Sequence, residues 1–447
     1  MSEPVTGAFV SGGQSDSARP PRRAFLRTSA TALAVGVSAR ACHAETEKPM
    51  VVAVIGVGGM GMNHVRHLAG YPQVEIAAVC DVDANRLALA AAEVENRSGR
   101  RPATEQDLRK VLADDRITAV FIATPDHWHT PAALLALEAG KHVYVEKPCC
   151  HNIREGRLLV EAARRTGLVV QTGTQSRSSR HVQRAMELLR DGAIGDVLVA
   201  KAWNSQRRAD IGRTQPSEPP RHLDYDLWVG PAPMRPYRSN MLPAIWRWWH
   251  DFGCGDMGND GVHDLDLARW GLGVTEHPVK VAAMGGKYFF EDDQQFPDTQ
   301  NVLFEYRTAG RPRQLVFEQR IWSPYKQEGY ENGNAFYGTK GLLVLGKIGG
   351  FHLYGARNKL LESMEGQPDL PAHHQNFFAC IRSGERPAAD AEIGHLSAAL
   401  CHLGNIAIRT DSRLEFDSDR EQITNHAPAN ELVRRDYREH WSSRLLL

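Results

Sequence analysis

Residues 51–55 (VVAVI) form an unbroken apolar run, and the next six residues are Gly56-Val57-Gly58-Gly59-Met60-Gly61. A short apolar run without alternation suits a parallel strand buried on both faces. A G-x-G-x-x-G segment that leaves such a strand and opens a helix constrains the backbone more than any other stretch of this chain. Gly56 permits the tight turn and Gly58 lets backbone approach a pyrophosphate. Gly61 lets the helix pack closely on the strand, with the phosphates resting at the helix N-terminus. Asp81 closes the next apolar run, in AAVCDVD. A carboxylate there accepts from the adenosine ribose hydroxyls and repels a 2′-phosphate, and Val82 follows it rather than Arg or Ser. The expected cofactor is NAD rather than NADP, held by Gly56, Gly58, Met60, Gly61 and Asp81.

The surrounding pattern extends this unit into a domain. Strand-like runs at 75–80, 119–123, 142–145 and 169–172 alternate with helix-like segments at 62–69, 84–94, 131–139 and 153–166. That alternation implies a parallel sheet with helices on both faces. After about residue 195 the character changes. Strand candidates at 197–202, 279–285, 301–306, 314–319 and 342–345 have fewer helices between them, with helical stretches at 261–271, 373–381 and 391–408. The predicted fold is an α/β nucleotide-binding domain followed by an α+β domain with a large, mostly antiparallel sheet. The expected boundaries are a leader at 1–47, the nucleotide-binding domain at 48–174, and a substrate and oligomerisation domain at 175–447. The C-terminal sheet is the expected contact of a homodimer or homotetramer. Residues 205–249, rich in Trp and Pro with weak periodicity, read as long binding loops on this frame.

Lys plus Arg and Asp plus Glu both number 53, so bulk charge gives no reason to expect a nucleic acid partner. Seven cysteines match no zinc spacing, and the adjacent Cys149 and Cys150 read as packing residues. The leader contains Arg22-Arg23-Ala24-Phe25-Leu26-Arg27, then an apolar run at 30–39 too short to span a bilayer, then Cys42-His43-Ala44. This fits a twin-arginine signal, so the expectation is export to the periplasm by the twin-arginine machinery, with cleavage near Ala44. That route carries folded proteins, while nicotinamide dinucleotides are kept in the cytoplasm. The cofactor is therefore expected to leave already bound and to be held tightly.

Glu146-Lys147-Pro148 follows the strand-like HVYV. With VIGVGGMG, CDVD, IATPDHWHTPAALLALEAGKHVYVEKP, NDGVHDLDLARW, NFFACIRSG and YREHW, it makes residues 50–447 resemble the Gfo/Idh/MocA (glucose–fructose oxidoreductase and inositol dehydrogenase) family. The resemblance implies that Lys147 lies at the reacting carbon, bridging nicotinamide and substrate, with Glu146 beside the cofactor. A lysine in a partly desolvated site also suits this role, because it gives up its proton more readily and can donate to a substrate oxygen. The family's proline is often preceded by a cis bond. His263, in Asn259-Asp260-Gly261-Val262-His263, matches the family's general base. Asn259 stands where the family has an aspartate and cannot carry its charge, which Asp256 or Asp260 would have to supply. Thr124 and His127 match positions that line the dinucleotide. His127 and His129, two apart on an expected loop, lack a carboxylate cluster, so no metal is expected there. Trp246 and Trp249 are expected to stack on a sugar, with Arg247, His250 and Asp260 beside it.

These features imply an oxidoreductase acting on a secondary hydroxyl of a sugar, cyclitol or glycoside, with hydride passing to the nicotinamide. An alternative within the same family is NAD-dependent glycoside cleavage by oxidation, elimination and reduction. The THGLG-type segment of the family's α-N-acetylgalactosaminidases is absent, and GVHDLD stands in its place.

Overall fold

In the computed structural model, which describes residues 49–308, 310–439 and 441, strand β1 (Met50–Ile55) leads into helix α1 (Gly59–Leu68). The leader and its arginine pair lie outside the described residues. There follow β2 (Val74–Cys80), α2 (Ala84–Ser98), β3 (Ala103–Glu105), α3 (Leu108–Leu112), β4 (Ala119–Ile122), α4 (Asp126–Glu138), β5 (His142–Val145), α5 (Ile153–Thr166) and β6 (Val170–Thr172). The six strands form a parallel sheet in the order β3-β2-β1-β4-β5-β6. Val52, Ala53 and Val54 are wholly buried, as an apolar run without alternation requires. The strand order changes direction beside β1, where β1 and β4 feed helices on opposite sides, so a crevice opens at their carboxyl ends.

Helix α4 begins five residues before the predicted start at 131. Asp126-His127-Trp128-His129 is its first turn and not a loop. Pro131 therefore lies inside the helix, where it has no N–H to give the carbonyl of His127. Arg435 Nη2 supplies that donor instead, 2.8 Å from the oxygen. The proline resembles a first-position helix residue in sequence, and only this distant arginine explains why it is not one.

The second half carries a ten-stranded sheet. In chain order come α6 (Arg180–Arg190), β7 (Val197–Asn204), α7 (Tyr225–Val229), α8 (Val262–Leu272), β8 (Lys280–Gly286), β9 (Thr299–Arg307), β10 (Pro312–Arg320), β11 (Asn332–Gly338), β12 (Leu342–Gly346), β13 (Gly350–Tyr354) and β14 (Leu360–Met364). Helices α9 (Leu370–Ser383) and α10 (Ala391–Arg409), strands β15 (Leu414–Asp417) and β16 (Gln422–Ile423), and α11 (Ala427–Glu431) complete it. Its order is β14-β13-β12-β11-β7-β10-β9-β8-β15-β16, antiparallel except where β7 lies parallel to β10. Along β9, Val302, Phe304 and Tyr306 are buried, in one cluster with Leu265 of α8 and Leu403 of α10. Leu303 points the other way, on the face it shares through the strand register with Met284 and Tyr337, all three exposed. The later helices also return to the first sheet, where Phe377 and Phe378 of α9 pack with Val54, Phe121 and Tyr144.

Residues 205–249 fold back over the end of β2. Ala84 N–H donates to His222 O at 2.9 Å, and Asp224 N–H donates to Val82 O at 3.0 Å.

Candidate active site

A cavity of about 520 Å³ runs along the carboxyl ends of the parallel strands and under the returning loop. Gly56, Gly58, Met60, Asp81, Thr124, Glu146, Lys147, Asn259, His263, Trp246 and Arg247 all line it. Residues more than two hundred positions apart, such as Gly56 and His263, thus meet in one space.

At one end the glycine turn is shaped as a cradle. Gly56 has φ +82°, and a Cβ there would lie 2.6 Å from the Thr124 nitrogen. A Cβ on Gly61, which packs beneath the turn, would lie 1.8 Å from the Gly56 oxygen. Asp81 fastens the turn, because Oδ2 accepts from Val57 N–H at 2.9 Å and Oδ1 from Asp83 N–H at 3.0 Å. Burial pushes its carboxyl above the usual range against these two bonds. The Thr124 hydroxyl is buried and meets no partner. A backbone cradle at a helix N-terminus, an acceptor at the end of β2 and an orphaned hydroxyl between them fit a dinucleotide. Arg86, which the sequence reading missed, reaches over Gly58, where a Cβ would lie 2.4 Å from Nη1.

At the other end stand Lys147 and His263. The Lys147–Pro148 peptide is cis. Lys147 Nζ donates to Asn259 O at 2.7 Å and lies 3.5 Å from its Oδ1. Asn259 Nδ2 in turn donates to Asp256 Oδ1 at 2.9 Å. Asn259 is presented from a π-helical turn, Met257–Gly261, that runs into α8, so Asn259 and His263 reach the same cavity. Among the described residues no hydrogen bond engages His263, and its Nδ1 is buried without a partner. Burial first, then the charges of Lys347 and Lys147, lower its pKa to about 3. The turn that holds Lys147 is tied down from behind. His129 bonds the carbonyls of Pro148 and Thr124, at 2.6 and 2.9 Å. Glu146 Oε1 pairs with His64 Nε2 at 3.1 Å and accepts from Gln175 at 2.8 Å. Burial disfavours charge on Glu146, but the His64 hydrogen bond and the nearby Lys147 and His263 outweigh it and lower its pKa.

Four expected site residues have other places, the first being His250, whose ring packs on Phe296 with centroids 4.3 Å apart. His127 is fully buried and does not line the cavity; its ring nitrogens face the carbonyls of Trp228 and Phe252, at 2.9 and 3.3 Å, so it clasps the returning loop to α4. Trp249 is likewise not a lining residue and donates to Asn240 O at 3.2 Å within the loop's own small core. Asp260 faces away from the cavity, in ion pairs with Lys347 at 2.5 Å and Arg208 at 3.3 Å. The Asp260 charge favours protonation of the His263 ring against its burial, though neither Asp260 nor Asp256 bonds the ring. Asp256 is taken up by Asn204, Arg208 and Asn259, and Asp260 by the two cations. Besides Arg86, cavity residues that went unassigned in sequence include Asp126, Trp128, His129 and Trp441. Asp126 sits buried in the first turn of α4 and accepts from Cys254 N–H at 3.1 Å. DHWH was the available signal, and its misreading as a loop concealed which of the four face inward.

The description "Oxidoreductase family, NAD-binding Rossmann fold" matches residues 39–174, and "Oxidoreductase family, C-terminal alpha/beta domain" matches residues 201–307 and 346–443. The chain is 27% identical over 299 residues to the uncharacterized oxidoreductase YrbE of Bacillus subtilis, covering 66% of this chain and 73% of that one. It is 32% identical over 213 residues to a glycosyl hydrolase family 109 protein of Saccharopolyspora erythraea, covering 42% of this chain and 46% of that one, less than half its length. The WlbA dehydrogenase of Bordetella pertussis, solved with NADH and UDP-GlcNAcA, has the same fold, with a TM-score of 0.62 at 21% identity over 83% of this chain and 99% of the other.

Proposed function

The chain belongs to the Gfo/Idh/MocA oxidoreductase family and binds NAD, and from this premise we propose that a secondary hydroxyl of a sugar, cyclitol or glycoside is oxidised at the expense of NAD, with Lys147 and His263 at the reacting atoms. The observation that carries the reading is the meeting of Lys147 and His263 in one cavity with the glycine cradle. Gly56, Gly58, Asp81 and Thr124 would hold the dinucleotide, and its nicotinamide supplies a hydride acceptor. Asn259 fixes Lys147 Nζ through one bond and leaves its other N–H groups for the substrate oxygen. The carbinol carbon loses its hydrogen as hydride while His263 takes the hydroxyl proton, leaving a ketone; the reverse reaction returns both. His263 is neutral at working pH, so it stands ready as an acceptor. Lys147→Ala is expected to lower turnover about 10²–10⁴-fold with NAD still bound. Turnover within about threefold of wild type would remove Lys147 from the chemistry, given that range for one proton-transfer group.

Asp81 supports NAD over NADP, since its carboxylate stands where a 2′-phosphate would approach. The loop bonded to Val82 and Ala84, where β2 passes into α2, supports a cofactor that is not exchanged at each turnover. A leader bearing Arg22-Arg23 then fits export of the loaded protein, and lysine at both positions is expected to keep it in the cytoplasm. The exposed sheet face with Met284, Leu303 and Tyr337 is the proposed contact between copies, to be read by sedimentation.

A second reading is cleavage of a glycoside by transient oxidation in the same cavity. The 32% identity to a glycosyl hydrolase family 109 protein favours keeping it. Release of aglycone without net NADH would select it over oxidation.

A further inference from the structure

Arg247 lines the cavity with Lys147, Asn259 and His263. Gly253 packs closely against its backbone, where a Cβ on that glycine would lie 2.3 Å from the Arg247 Cα. Its guanidinium lies over the Trp246 ring, 5.3 Å from the centroid. Among the described residues it makes no ion pair and no hydrogen bond, and its Nε is buried without a partner. The nearby Arg208 is different, with Asp256 and Asp260 both at hydrogen-bond distance. A partly buried cation that no carboxylate reaches at ion-pair distance is costly: burial pushes the Arg247 pKa down, and Asp126, Asp256 and Asp260 offset this only from farther off.

Building on the sugar-oxidising reading, we propose that Arg247 receives a carboxylate of the substrate, so that the enzyme acts on a sugar acid rather than a neutral sugar. A guanidinium fork matches a carboxylate with two parallel hydrogen bonds, and stacking on Trp246 fixes its plane. Asp126 and Glu146 line the same space as Lys147 and Arg247, so the cavity suits one added negative charge better than the two of a phosphate monoester.

The test is binding of D-glucuronate, its neutral methyl ester and D-glucose to the NAD-loaded protein, followed by calorimetry. Glucuronate is expected to bind at least about tenfold more tightly than the ester, the scale of one charge-assisted pair. Arg247→Met is expected to erase that preference at unchanged NAD content, and Arg247→Lys to keep part of it. Equal affinity for acid and ester, no binding of the acid, or a preference that survives in Arg247→Met would overturn the proposal. So would loss of NAD from Arg247→Met, which would assign the guanidinium to the cofactor. Binding needs no turnover, so an acid preference without sugar oxidation would sink the oxidoreductase reading alone. Oxidation of neutral sugars without an acid preference would sink the Arg247 proposal alone.

Discussion

Asn259 shows how one departure from a family pattern is absorbed. Its carbonyl holds Lys147 and its amide leans on Asp256, so a neutral side chain suits the position. An aspartate there would face Asp256 across 2.9 Å, and two carboxylates that close cannot both ionise easily. Asn259→Asp is therefore expected to be less active than wild type at about pH 8 and to recover relative to wild type near pH 5, as the pair takes up a proton. A variant-to-wild-type ratio of kcat that is flat or falls toward acid pH would contradict this. Lys147 and His263 were legible in the sequence because short motifs carry them. Lys347, which takes up Asp260, was not, because it follows β12 and meets α8 only through the folded sheet.

The turn from β1 to α1 was the most legible element, since a strand, three glycines and a helix leave little freedom. Its glycines differ in what they tolerate. A Cβ on Gly61 would strike the Gly56 carbonyl, a backbone atom that cannot swing aside, whereas a Cβ on Gly59 meets nothing within 4 Å. Gly61→Ala is expected to cost about 1–3 kcal/mol in stability and to lower NAD content, while Gly59→Ala stays near wild type. Thermal melts with NAD quantified after denaturation check this, and equal behaviour of the two variants would contradict the close-packing account. Helix α4 was less legible because an interior proline imitates a helix start, and β11, β13 and β14 because glycine, asparagine and charged residues dilute their apolar signal. The returning segment was legible as a long loop but not as one that lines the cavity and is clasped by His127.

Across the whole molecule, burial holds many histidines neutral. His127 and His263 are lowered to about 3, and His373 and His402 to about 4. In the unfolded chain these groups gain protons near pH 6.5. Between that value and about 4 the unfolded state therefore binds more protons, so stability is full above about pH 6.5 and declines as pH falls. Asp81, Asp126 and Asp264, raised by burial, act in the opposite sense but are fewer than the lowered histidines. The Tm is expected to fall steadily from about pH 6.5 to pH 4, and a flat Tm over that window would contradict neutral burial of these rings. The central claim is that hydride moves from a substrate carbon onto NAD held in this cavity, under the control of Lys147. It is tested most directly with a substrate deuterated at the reacting carbon, mixed with NAD-loaded wild type and Lys147→Ala, with the cofactor weighed after denaturation. Reduced cofactor heavier by a single mass unit is expected in wild type, and none on the same timescale in Lys147→Ala. Reduced cofactor without the label, or labelled equally in both proteins, would contradict it.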